Sequence, residues 1–159
     1  MKRETGALID KAKRSVIAGK VLLRRGDPDF AASLAYYAMF YAVSALLSER
    51  GLHMDSPAAA HHAFAELFIK TGAFDPIYFH WLLDAHDRRI AGDYGIHTPM
   101  APADVRQTLD RAQGFLLDVR RHIDLRRYLG RDPHGDLRPP VDRRPTPGEE
   151  YIRIRRKPS

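Results

Sequence analysis

A chain of 159 residues is long enough to bury the core of one domain, and 44% apolar content is ordinary for a globular protein. It contains no cysteine, which excludes disulfides, thiolate metal sites and a cysteine nucleophile. The net charge of +6 favours polyanionic partners without specifying one. The charged N-terminal stretch lacks the apolar segment of a signal peptide. The longest apolar stretch, residues 30–47, is interrupted by Ser33, Ser44 and three tyrosines and falls short of the roughly 18 apolar residues of a membrane span. A cytoplasmic protein outside the membrane is therefore expected.

Periodicity predicts five helices. The first covers residues 7–25, with Leu8, Ala12, Val16, Gly19 and Leu22/Leu23 on one face, and Gly26 stops it. Asp27-Pro28 starts the second, residues 28–50, as an N-cap followed by proline at the first helical position. This helix is apolar almost all round, so it is expected to be the buried one. Ala31, Ala35, Ala38, Ala42 and Ala45 form a small-residue strip that permits close helix approach or a subunit contact. Its three tyrosines cannot all be buried without hydrogen-bond partners, so some should line a cleft or interface. Shorter helices follow over residues 57–70 and 76–93, the latter again opened by Asp-Pro. The fifth, residues 102–129, carries Val105, Leu109, Ala112, Leu116, Val119 and Ile123 in a heptad-like stripe, suited to an antiparallel neighbour or a second subunit. No strand alternation precedes residue 130, so the fold class is all-α.

Residues 130–159 hold six of the eleven prolines, and eight Lys/Arg against five Asp/Glu. The expected division is a helical bundle over residues 1–129 and a disordered, Pro/Arg-rich basic tail, with 151–155 its one strand-like piece.

The phosphate-loop, dinucleotide, serine-hydrolase and HExxH motifs are all absent, and no metal site or cofactor is expected. The adjacent His61 and His62 point about 100° apart on a helix, which suits a surface or half-buried role better than a metal. The informative stretch is residues 86–97. On a helix His86, Arg89 and Asp93 share one face, and Arg89 with Asp93 at i, i+4 forms an ion pair. Spacing alone leaves this an ordinary surface pair at a Gly-rich helix end. Chemically, an arginine held by a carboxylate beside a histidine and a phenol can also bind phosphate and manage a proton.

Three pieces in order carry a family resemblance. Residues 36–42, Tyr-Tyr-Ala-Met-Phe-Tyr-Ala, then Ala45-Leu46-Leu47 and Gly51, look like the second helix of the HEPN family. Phe64 to Phe68 with Ile69-Lys70-Thr71-Gly72 resembles the F…F-V-K-T-G signature of one branch. Arg89-Ile90-Ala91-Gly92-Asp93-Tyr94-Gly95 is similar to that branch's R-x-x-A/G-D-Y-G element. The resemblance covers residues 5–125. It implies an up-and-down helical bundle, a homodimer with the Arg/Asp elements facing a shared groove, and a toxin–antitoxin setting with a nucleotidyltransferase partner protein. It makes Arg89 and Asp93 the site residues. Arg88, Tyr37 and Tyr41 join Arg89 as candidates for RNA or nucleotide binding, and His86, Tyr94 and His97 are geometric candidates for acid–base work. HEPN ribonucleases carry Arg-x4-6-His, whereas seven residues separate Arg89 from His97 here. Two readings therefore stand: a binding module for nucleotide, RNA or partner protein, and a metal-independent endoribonuclease toxin.

Overall fold

The computed structural model describes residues 1–95 and 100–130. Five α-helices make up these residues: α1 (Arg3–Arg24), α2 (Pro28–Glu49), α3 (Pro57–Phe64), α4 (Ile77–Tyr94) and α5 (Pro102–Leu129). A π-helical turn, Ala65–Ile69, prolongs α3, and the described residues contain no strand. The all-α class and the number of helices agree with the periodicity. Residues 131–159 of the expected tail lie outside the described residues, as does His97.

The chain turns from α1 into α2 through paired backbone bonds, Asp27 N–H to Leu22 O at 3.0 Å and Gly26 N–H to Leu23 O at 3.1 Å. The Asp27 side chain makes no capping bond, so proline at the first helical position, not the carboxylate, marks the start of α2. Asp75 does cap: its carboxylate accepts from the Ile77 backbone N–H at 2.8 Å.

Helix α2 is the central element and packs on α1, α4 and α5. All five alanines of its small-residue strip are fully buried, as is the whole α5 stripe from Val105 to Ile123. Both strips are thus consumed by packing within the chain, and neither remains for a second subunit. Ala31 and Ala35 meet Val105 and Leu109 near the start of α5. At the opposite end, the α5 residue Arg127 donates to Glu49 of α2 from Nε at 2.7 Å. Thr5 of α1 donates to the same carboxylate at 2.9 Å. The two contacts set α5 parallel to α2, while α1 and α4 run antiparallel to it, an up-and-down bundle.

Among the described residues α2 alone is apolar enough, by length and composition, to cross a membrane, contrary to the expectation that its polar interruptions would disqualify it. In the fold, 61% of its most apolar window is buried among the other helices. A central bundle helix must be apolar on most sides, and that requirement explains the composition.

Candidate functional site

The site forms where the last two turns of α4 cross the first half of α2. One glycine permits the crossing, and a second closes α4 beside it. A Cβ at position 92 would sit 3.0 Å from the Asp29 backbone oxygen and 3.2 Å from the Met100 sulfur. A Cβ at position 95 would lie only 2.4 Å from the Ala91 carbonyl oxygen, which accepts the Gly95 N–H that closes α4. The glycines of the R-x-x-G-D-Y-G element therefore bring α4 against α2 and end the helix just beyond Asp93. Gly92→Val is expected to push the helix ends apart, costing about 1–3 kcal/mol by overpacking. Loss of the Ser33–Asp93 contact, read by NMR at both residues, would accompany the drop in melting temperature. A variant with wild-type melting and unchanged shifts would contradict this.

Asp93 reaches across the crossing. One carboxylate oxygen accepts from the Ser33 hydroxyl of α2 at 2.8 Å, and the other lies 3.4 Å from Arg89 Nε. The Arg89 guanidinium carbon stands 5.0 Å from the Tyr37 ring centre and 5.7 Å from that of Tyr36. Its Nε is buried yet makes no hydrogen bond among the described residues, because the carboxylate lies beside the N–H rather than along it. Arg89 is thus oriented by rings and a carboxylate while its hydrogen-bonding capacity stays largely unspent. Such a fork suits a phosphate or carboxylate ligand.

Beneath it lies a buried polar layer. The Tyr36 hydroxyl and His61 Nε2 are hydrogen-bonded at 2.9 Å, and the His86 ring centre is 5.1 Å from Tyr36 and 5.3 Å from His61. Burial, reinforced by His86, pushes the His61 pKa down to about 4. Burial also pushes the Tyr36 hydroxyl up to about 12; Arg89 opposes that shift and Tyr37 adds to it. At neutral pH His61 is therefore an uncharged imidazole bonded to a protonated phenol.

His61 binds its proton more readily unfolded than folded, so its contribution to stability is complete above pH 6.5 and declines as pH falls toward 4. In that window the expected slope is about 1.4 kcal/mol per pH unit for one proton. Denaturant unfolding of wild type and His61→Gln from pH 7 to 4.5 checks this. The variant should have the flatter profile, and parallel profiles would contradict the assignment.

The site gathers His86, Arg89, Asp93 and Tyr37 from the sequence-predicted set. Tyr41 lies one turn further along α2, stacked on Tyr37 with ring centres 6.0 Å apart. Arg88 turns away: Asp84 holds its Nε at 2.9 Å and Asp104 of α5 lies 3.7 Å from its NH1. Tyr94 is 79% exposed at the end of α4. Ser33, Tyr36 and His61 complete the site, though none of them was a predicted site residue. Ser33 stands four residues before Tyr37 on one face of α2, a visible spacing; its bond to Asp93 spans sixty residues and leaves no sequence trace. His61, expected at the surface or half buried, is buried, and only His62 is exposed. The Phe64–Gly72 signature serves the core and its turn: Phe64 and Phe68 are buried, and Phe68 O accepts from Phe74 N–H at 2.8 Å. Among the described residues no three His, Asp or Glu side chains converge as metal ligands would.

An up-and-down helical bundle with an Arg/Asp pair set on aromatic rings at a helix crossing defines the class, a small all-helical domain. Residues 5–122 match the HEPN domain, and the chain belongs to the HEPN family. It is 31% identical over 122 residues to a Methanocaldococcus jannaschii protein named as a candidate toxin, covering 77% of this chain and 83% of the relative. It is also 31% identical over 118 residues to a UPF0332 protein of Thermotoga maritima, covering 74% and 89%. A second M. jannaschii protein named as a candidate toxin is 25% identical over 124 residues, covering 78% and 87%.

Proposed function

We propose that the protein is the HEPN component of a toxin–antitoxin pair, whose Arg89/Asp93 groove binds the phosphate of RNA or a nucleotide. The supporting observation is the Arg89 guanidinium, held beside Tyr37, Tyr36 and Asp93 with an Nε–H that no group among the described residues accepts. The names of the relatives support the toxin setting. In this reading the protein is cytoplasmic and forms a homodimer that brings two such grooves together, and a nucleotidyltransferase is its partner protein. Apolar surface for such assembly exists beside the groove, where Phe30 is 66% and Ile90 41% exposed.

A second reading, metal-independent RNA cleavage, draws on the imidazoles behind Arg89. Cleavage through the 2′-hydroxyl needs a base for that proton and an acid for the departing 5′-oxygen. His86 is half-buried beside the groove and is the better placed, since His61 is engaged with Tyr36. Fluorescence anisotropy with short labelled RNAs, followed by gel analysis in EDTA, tests both readings. Saturable binding with intact RNA supports the module, and cleavage persisting in EDTA supports the nuclease. Absence of binding to RNA and nucleotides alike would overturn both.

A further inference from the structure

Within the helical bundle the positive charge is concentrated on one helix. Residues 1–25 hold eight Lys/Arg and two Asp/Glu, whereas residues 26–129 hold ten and thirteen, so α1 with its flanks is the basic part of the bundle. Arg3, Lys11, Lys13, Arg14 and Arg24 are all exposed. The ion pair of Arg14 is with Asp10, one turn earlier at 3.1 Å, and is itself open to solvent.

This basic helix is physically joined to the Arg89 groove. The Lys11 ammonium lies 4.8 Å from the Tyr41 ring centre, Tyr41 stacks on Tyr37 at 6.0 Å with the planes 23° apart, and Arg89 stands 5.0 Å from Tyr37. A ladder of cation, ring, ring and cation thus crosses the molecule from α4 over α2 to α1. Arg14 follows Lys11 at i+3 and extends the ladder on the same face of α1.

We propose that α1 is a second RNA site, which binds the phosphate backbone of a single strand leaving the Arg89 groove across Tyr37 and Tyr41. The proposal rests on the reading of the groove as an RNA site and adds to it a length requirement. Cations alone would suit any polyanion. The half-buried tyrosine pair between them favours single-stranded RNA, whose unpaired bases and sugars rest on aromatic edges while phosphates meet the flanking cations. A membrane surface would not use a ring pair set between two helices in this way.

The test compares a dinucleotide with a twenty-residue oligouridylate on wild type, Lys11→Gln/Arg14→Gln and Arg89→Ala, over a salt series. Both α1 positions are exposed, so the double variant should fold, as circular dichroism will verify. It should bind the long strand about tenfold more weakly at 0.1 M salt. Its logarithmic salt slope should be shallower by about 1.4, the value for two lost single-strand phosphate contacts, while dinucleotide binding stays unchanged. Unchanged affinity and slope for the long strand would overturn the α1 site and leave the groove standing. Loss of long-strand binding in the α1 variant but not in Arg89→Ala would instead overturn the groove and keep α1. Stronger binding of wild type to phosphatidylserine vesicles than to the oligonucleotide would overturn the choice of RNA.

Discussion

Arg89→Ala is expected to weaken RNA or nucleotide binding by roughly tenfold to a hundredfold while the protein stays folded. Charge-assisted hydrogen bonds to a phosphate contribute about 1.5–3 kcal/mol, which sets that range. The fold should survive, because a partly exposed ion pair adds only about 0–1 kcal/mol and the ring contacts of Arg89 add a comparable amount. Asp93→Asn should cost less affinity: an amide oxygen still accepts from Ser33, and only the grip on Arg89 is loosened. Arg88→Ala is the control, since that side chain is spent on Asp84 and Asp104. Anisotropy titration beside thermal melts separates the outcomes. A variant Arg89→Ala that unfolds would make the residue structural, and one that binds RNA like wild type would remove it from the site.

Phe64→Ala should produce the largest loss of stability, about 3–5 kcal/mol, by emptying a fully buried aromatic position. The Phe64 ring centre lies 6.0 Å from those of Phe68 and Phe74 and 5.6 Å from that of Phe115, so it joins α3, the π turn and α5. Those neighbours sit on three segments and cannot all collapse into the void. Against a total stability of about 5–15 kcal/mol, the loss is a large fraction. Urea unfolding should give a much lower midpoint at nearly constant slope. A shift below about 1 kcal/mol would mean that the aromatic cluster is not the cement of the bundle.

Most of the architecture was legible because helices announce themselves locally. The Gly26 stop, the Asp-Pro starts and the α5 stripe all fall within a few residues of the boundaries observed. Helix α1 begins earlier than its apolar face suggests, at Arg3, since its first turn buries Thr5 rather than an aliphatic residue. Whether the α2 alanines and the α5 stripe met each other or a second subunit could not be read, because periodicity gives a face and not its partner. The same limit governed the site. Arg89 and Asp93 at i, i+4 were visible as a pair on one helix, and Tyr37 and Tyr41 as a pair on another. That the four converge depends on Gly92 admitting the Asp29 carbonyl, a tertiary contact. His61 was misjudged for a related reason: its neighbour His62 is exposed, and only the Tyr36 hydroxyl on α2 explains why His61 is not.

The most direct test of the groove is the Arg89 Nε–H itself, followed by nitrogen-15 NMR while a short single-stranded RNA or AMP is titrated in. This N–H, which has no acceptor among the described residues, reports on the guanidinium it belongs to and should move strongly and saturably when a phosphate binds the fork. The Arg88 Nε–H, already bonded to Asp84, should stay nearly still. If ligand binds, as judged by anisotropy, while the Arg89 resonance does not shift, the phosphate lies elsewhere and the groove is not the site.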